Sequence, residues 1–153
     1  MSNLSEQAVR IAINEVGNEE IPRGSNWGPH VQKYLKAVNI NFPASWCMAF
    51  VVWCFDGAAH ILGTELPLKR TGGVLAQYNN ASDLNKVLMR PQRGDIIIMD
   101  HGHGLGHTGI VESVDGDNIH TIEGNTNDTG SREGYEVCRK IRSVNSIKAF
   151  LRY

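Results

Sequence analysis

Two residue types in this chain can together perform nucleophilic catalysis, a cysteine and a histidine. Cys47 follows Ser45 and Trp46 at the predicted first turn of an apolar helix, WCMAFVVWCF. Unpaired backbone N–H groups and the helix dipole favour an anion there, so a thiolate is stabilised and an oxyanion could be bound. The alternative is a buried cysteine that acts as a small hydrophobe, which is common for free cysteines. Cys54, deeper in the same helix, fits that alternative, and Cys138 in a predicted strand receives no functional assignment.

A thiolate nucleophile needs a base, and the chain has six histidines. His107 opens the predicted strand HTGIV after a glycine-rich approach, so its ring can project from the sheet edge towards a helix terminus. His30 and His60 lie on predicted helices, where exposure to solvent is expected, and His120 lies in the middle of a strand. His107 is therefore the predicted base.

The segment DHGHGLGH, residues 100–107, raises the alternative of a metal site. It combines His101, His103 and His107 with Asp100, and clustered histidines can bind zinc. However, its three glycines predict a flexible loop, and the chain contains no HExxH or CxxC motif. We therefore expect neither a metal nor another cofactor and interpret the segment as a loop at the edge of the site.

The third group of such a system accepts the ring N–H and fixes the histidine tautomer. Side chains alternate along the predicted strand NIHTIEGN, so Glu123 and Asn125 should face one side and His120 the other. Pairing with the His107 strand would place Glu123 or Asn125 beside the ring. Glu123 lies within the strand and is the predicted orienter. Asn125 begins the turn, where asparagine is common for backbone reasons, and is predicted to line the site.

The elements that must position Cys47 are helices in the first half of the chain. The first is predicted from a Ser5 cap to about Val16, the second begins at Pro29, and the third begins near Ser45. The continuous hydrophobicity of the third helix predicts burial on most of its sides. A short helical piece is predicted over residues 74–78.

After Pro91 the pattern changes to that of strands. Two of them, HTGIVESV and NIHTIEG, flank Asp115-Gly116-Asp117 and predict a hairpin. With IIIM, residues 135–144 and residues 147–153, the count reaches about five strands. Helices followed by an antiparallel sheet predict a single α+β domain over residues 1–153.

The charge balance excludes two classes of partner. Fifteen Lys and Arg residues against sixteen Asp and Glu residues leave a formal charge of -1, which is no basic footprint for nucleic acid or an anionic membrane. The longest apolar stretch, residues 48–55, is too short to span a bilayer. Three cysteines are an odd number and too few for a disulfide framework.

The order of these motifs resembles the CHAP domain. Trp46-Cys47 opens a helix, Gly94-Asp95 precedes a strand, and HTGIV and then Glu123-Gly124-Asn125 follow. The resemblance implies a papain-like α+β fold in a family of cysteine- and histidine-dependent amidohydrolases and peptidases, related to NlpC-like cell-wall peptidases. It also implies roles: Cys47 matches the nucleophile, His107 the base, and Glu123 and Asn125 the polar pair that orients the histidine and lines the site.

The resemblance implies a peptidoglycan hydrolase, either an N-acetylmuramoyl-L-alanine amidase or an endopeptidase of the wall peptide. The expected partners are peptidoglycan peptides, with no nucleic acid and no membrane, and a delivery or immunity partner stays unknown. Two alternatives remain open. One is a cysteine amidase or deamidase that acts on a protein or a small amide, as a delivered toxin would. The other is an inert binding module in which Cys47 is merely buried.

Three departures from the family pattern shape the remaining expectations. The first 17 residues lack a basic start and an unbroken apolar run, so they do not resemble a secretory signal. We expect synthesis in the cytoplasm and action on the wall after phage-type release or dedicated secretion. No wall-binding domain is evident. Some family members bind calcium just before the nucleophile, but residues 38–46, VNINFPASW, contain no carboxylate, so calcium is not expected there.

Overall fold

Helices occupy the first half of the chain and antiparallel strands the second, in a computed structural model that describes residues 2–126 and 134–153. The described helices are α1 (Asn3–Glu15), α2 (Pro29–Lys36), α3 (Cys47–Leu62) and α4 (Val74–Asn80). The described strands are β1 (Lys86–Val87), β2 (Ile96–Gly102), β3 (Leu105–Asp115), β4 (Asn118–Thr126), β5 (Glu136–Ser143) and β6 (Ala149–Leu151). This arrangement confirms the predicted α+β class.

The first helix begins earlier than its predicted Ser5 cap. Ser2 has an extended backbone and its hydroxyl accepts a hydrogen bond from the Ser5 N–H at 3.1 Å, so Ser2 is the N-cap. Ser5 itself lies inside the first turn and is buried. Serine is a favoured N-cap residue at either position, and the extended backbone of Ser2 makes Ser2 the cap instead of Ser5. The second helix begins at Pro29, as predicted.

Helix α3 forms the centre of the core. Ten of its 16 residues are buried, and it packs against α1 and α2 on one side and β3 and β4 on the other. This confirms the predicted burial of the apolar segment. Each large side chain removed from water in this way contributes about 1.5–3 kcal/mol, so the start of α3 is firmly held. The helix begins at Cys47, two residues after the predicted Ser45.

The sheet has the strand order β1-β6-β2-β3-β4-β5. Strands β3 and β4 form the predicted hairpin, with Asp115 opposite Asn118 and Gly116 in the left-handed conformation at φ 60°. Within the described residues, the sheet has one strand more than the expected five. The additional strand, β1, has only two residues, which is too short for any alternating pattern to show in the sequence.

Both faces of the sheet carry apolar side chains. Ile96, Ile110 and Ile122 join the core beneath the helices, and a smaller cluster on other strand positions includes Val111 and Ile119. No helix among the described residues is long and apolar enough to cross a membrane.

Strand β4 does not keep its regular alternation to the end. The pairing of β4 with β5 shifts register between Glu123 and Thr126, and Asn125 has a left-handed backbone at φ 56°. The alternation predicted to bring Glu123 and Asn125 to one side therefore stops before Asn125. The two side chains reach different partners as a result.

Candidate active site

Cys47 lines an open cleft of about 500 Å³. Helix α3 presents it in its first turn, and its side chain is nearly buried, with 7% of the residue exposed. One wall of the cleft comes from the turn between β2 and β3, with His101 and Leu105, and another from β5, with Lys140 and Arg142. A ligand in this cleft can therefore reach the Cys47 thiol.

Three side chains from three elements come together beside this cleft. The His107 ring on β3 lines the cleft with the Cys47 thiol and interacts electrostatically with it. Its Nε2 atom lies 2.7 Å from Oε1 of Glu123 on β4. Because Nε2 is engaged with the carboxylate, Nδ1 is the ring nitrogen left available to another partner. The structure thus brings together a thiol, an imidazole and a carboxylate, which we call the catalytic line.

Glu123 is fully buried and held by further donors. Arg142 on β5 forms a two-pronged ion pair with it, with Nε 2.9 Å from Oε2 and Nη2 in contact with Oε1. The Thr121 hydroxyl donates a hydrogen bond to Oε2 at 2.5 Å. Every lone pair of a buried carboxylate that finds a donor reduces the cost of removing that charge from water. The carboxylate therefore has a fixed orientation.

The surroundings of Glu123 and His107 favour the charged form of both side chains. Burial by itself raises the pKa of the Glu123 carboxyl, but the hydrogen bonds and charges of Arg142 and His107 outweigh it and lower the pKa to about 2. Burial by itself lowers the pKa of His107, but hydrogen bonds and charges from Cys47 and Glu123 outweigh it and raise the pKa from 6.5 to about 9. At neutral pH the ring therefore carries a proton and a positive charge.

Two glycines make room for this arrangement. A Cβ atom on Gly109 would lie 2.5 Å from Cγ of Glu123 and 2.9 Å from the Ile122 carbonyl oxygen. A Cβ atom on Gly124 would lie 2.7 Å from the ring of Trp46. A glycine inside a strand often marks such a close approach. The glycine of the HTG motif thus leaves room for the side chain of Glu123, and the glycine of the EGN motif leaves room for the ring of Trp46.

Trp46, the N-cap of α3, is held at both of its N–H groups. Its backbone N–H donates to Oδ1 of Asn125 at 3.1 Å, and its indole Nε1 donates to Oε2 of Glu20 at 2.8 Å. Because Cys47 follows directly, these two bonds also position the thiol. Asn125 lines the cleft but holds the start of the helix, whereas Glu123 contacts the histidine.

Sequence reasoning missed three of these polar groups: Arg142, Thr121 and Glu20. A signal existed for Arg142, since a glutamate stays ionised at a buried strand position only when opposite charge or hydrogen-bond donors compensate its lost hydration. The identity of that cation depends on the pairing of β4 with β5, which the strand pattern does not reveal.

The histidine-rich segment lies at the edge of the cleft. His101 lines the cleft, and His103 is exposed in the turn between β2 and β3 with a left-handed φ of 57°. Within residues 2–126 and 134–153, no three His, Cys, Asp or Glu side chains are grouped so that they could hold a metal ion. Cys54 is buried and its pKa is raised by that burial, as the structural interpretation of this cysteine requires.

Comparison with known proteins identifies the family. The family model of the CHAP domain matches residues 39–125, which is more than half of the 153 residues and includes the whole line from Cys47 to Glu123. The chain belongs to the CHAP family. This family comprises cysteine- and histidine-dependent amidohydrolases and peptidases. No curated protein sequence matches the chain.

Two solved structures share the fold of this CHAP chain. Ly7917 is 18% identical with a TM-score of 0.57, and the match covers 97% of this chain and 61% of that one. The wild-type endolysin LysIME-EF1 is 15% identical with a TM-score of 0.61, and the match covers 99% of this chain and 64% of that one. The chain thus spans less than two thirds of the length of either protein. The expected papain-like α+β fold is confirmed.

Proposed function

We propose that this chain hydrolyses an amide bond of peptidoglycan peptides, with Cys47 as the nucleophile and His107 as its proton partner. The observation that carries the proposal is that Cys47 and His107 line one open cleft and interact there, while Glu123 holds the His107 ring by a 2.7 Å hydrogen bond. Membership of the CHAP family and the endolysin fold of LysIME-EF1 support a wall peptide as the substrate.

The first chemical step follows from the charge of the histidine. His107 takes the proton of the Cys47 thiol and, with a pKa of about 9, keeps it at neutral pH while the sulfur attacks as a thiolate. The sulfur attacks the amide carbonyl carbon, and the carbonyl oxygen gains the negative charge. The N–H groups in the first turn of α3 have no partner within the helix, so the Cys47 N–H is a suitable donor to that oxyanion.

The next steps return the proton and the sulfur to their initial state. His107 gives its proton to the amide nitrogen, the C–N bond breaks, and the amine leaves while the acyl group stays on sulfur as a thioester. The neutral ring then takes a proton from water, whose oxygen attacks the thioester carbon. The C–S bond breaks, the carboxylic acid leaves, and the thiolate and imidazolium are restored. Proton transfer by a positioned group of this kind accelerates a reaction by about 100- to 10,000-fold.

Digestion of purified peptidoglycan tests the proposal. The protein should release soluble fragments, and the Cys47→Ala variant at equal concentration should release none. Mass spectrometry of the fragments distinguishes the two reactions proposed for the family. An amidase produces muramic acid with a free lactyl carboxylate and stem peptides with a new N-terminal alanine, whereas an endopeptidase produces new ends within the peptide. Intact peptidoglycan together with a reactive Cys47 would reject this substrate and leave another amide as the target.

A further inference from the structure

We propose that Arg142 is a positioning residue of the active site, which keeps the buried Glu123 carboxylate ionised and turned towards His107. The proposal rests on the function proposed above, in that His107 is taken as the group that carries the proton. It adds a fourth residue to the line of thiol, imidazole and carboxylate.

The geometry of the pair is that of an orienting clamp. Arg142 contacts Oε1 and Oε2 of Glu123 at once, through Nη2 and Nε. Such a two-pronged pair fixes the plane of the carboxylate as well as its distance. With that plane fixed, Oε1 lies 2.7 Å from Nε2 of His107. A lysine could supply the same charge but only a single point of contact.

Burial explains why the carboxylate needs this cation. The side chain of Glu123 is 0% exposed, whereas that of Arg142 is 23% exposed and lies at the cleft wall. A carboxylate in such a place takes up a proton unless opposite charge and donors compensate its lost hydration. Without Arg142, the remaining partners would be the Thr121 hydroxyl and His107 itself. A protonated Glu123 would no longer balance the charge of the imidazolium.

The charged and titratable groups around Glu123 come from three directions. Strand β3 contributes His107, and helix α3 contributes Cys47 through its contact with that ring. Strand β5 contributes Arg142 and Lys140, which both line the cleft. It also contributes Cys138, which lies opposite Glu123 in the sheet and interacts electrostatically with the guanidinium. Arg142 is the group in this set that bonds both carboxylate oxygens.

A competing role for Arg142 is direct binding of a substrate anion, because it lines the cleft. The two roles predict different kinetics. A positioning residue acts on the chemical step, so its loss lowers kcat and changes the pH profile. A substrate anchor acts on binding, so its loss raises KM and leaves kcat unchanged.

The test measures kcat and KM against pH for Arg142→Gln and Arg142→Lys. The matched control is Arg139→Gln on the same strand, because Arg139 forms a similar two-pronged pair with Glu112 but does not line the cleft. We expect Arg142→Gln to lower kcat about 10- to 100-fold, the range found when a metal-bound histidine loses the outer partner that orients it. We also expect a new acid limb above about pH 4.5, because an uncompensated buried carboxyl has a raised pKa.

The Lys variant separates charge from geometry. Arg142→Lys should keep the acid limb of the original protein and have a kcat between those of the original protein and Arg142→Gln. Arg139→Gln should change neither quantity. A raised KM with unchanged kcat in Arg142→Gln, or an equal loss at every pH, would overturn the proposal. If Arg142→Gln does not fold, Arg142→Lys tests the proposal by itself. A kcat equal to that of the original protein would then overturn the proposal.

A second readout needs no substrate and separates this proposal from the function. The rate of Cys47 alkylation by iodoacetamide, followed by mass spectrometry of the peptide that contains it, should gain the same acid limb in Arg142→Gln. A shifted alkylation profile with intact peptidoglycan would retain the role of Arg142 and reject the substrate. Cleaved peptidoglycan with an unchanged alkylation profile would retain the substrate and reject the role.

Discussion

Replacement of Glu123 by glutamine probes the charge balance of the active site most directly. Gln keeps the shape and one acceptor oxygen but removes the negative charge that stabilises the protonated His107 ring. The pKa of His107, now about 9, should then fall. Because the proposed mechanism needs a protonated ring to release the amine, activity should be lost at a lower pH. The basic limb of the kcat profile should therefore move downwards.

The contacts of Glu123 set the size of this effect. An opposite charge at this distance shifts a pKa by about 1 to 3 units, and the carboxylate shares its charge with Arg142, so we expect the lower end, about 1 unit. We expect kcat near neutrality to fall about 100-fold, the lower end of the range for general acid–base assistance. Removing one partner of a buried ion pair also destabilises a fold, by about 3 kcal/mol at the lower end. For a domain of this size that corresponds to about 6–12 °C in Tm.

The assay measures turnover of a soluble muropeptide from about pH 5 to pH 10, well below the lowered Tm, with folding verified by circular dichroism. The control is Asn125→Ala, which removes the acceptor for the Trp46 N–H but does not touch the ring. Asn125→Ala also places alanine at a φ of 56°, so a modest loss of stability is expected. Its basic limb should stay in place. If Asn125→Ala moves that limb and Glu123→Gln does not, the roles assigned to these two residues are wrong.

Three further predictions concern the same cleft. Cys47→Ala and His107→Ala should each abolish hydrolysis with the fold retained. The double variant should be little worse than either, because the effects of residues that act as a unit are not additive. Additive losses in the release of soluble fragments would contradict the pairing of the two residues. Activity should survive prolonged chelation and the joint replacement of His101 and His103 by alanine, and inactivation with rescue by zinc would reverse that expectation. Gly109→Ala should lower kcat about 10-fold or more, since the added Cβ would lie 2.5 Å from Cγ of Glu123. An unchanged turnover would show that the strand can shift to make room for the methyl group.

The sequence by itself predicted Cys47 as the proposed nucleophile and His107 as its proposed partner because their signals are local. An apolar run preceded by Trp46 predicts a buried helix, and a cysteine in its first turn stands beside unpaired N–H groups wherever the helix packs. The hairpin at residues 115–117 is equally local, since its turn residues adopt the required backbone largely on their own. These features follow from neighbouring residues, so one sequence is enough to predict them.

The tertiary structure decided which side chains complete the site. Arg142 is 19 residues from Glu123 along the chain, and Glu20 is 26 residues from Trp46, so only strand register and packing bring each pair together. The division of labour between Glu123 and Asn125 has the same origin. Regular alternation predicts one face for both, but the left-handed backbone at Asn125 and the register shift of β4 against β5 send its oxygen to the start of α3. Register is a property of two strands at once, and a pattern within one strand does not contain it.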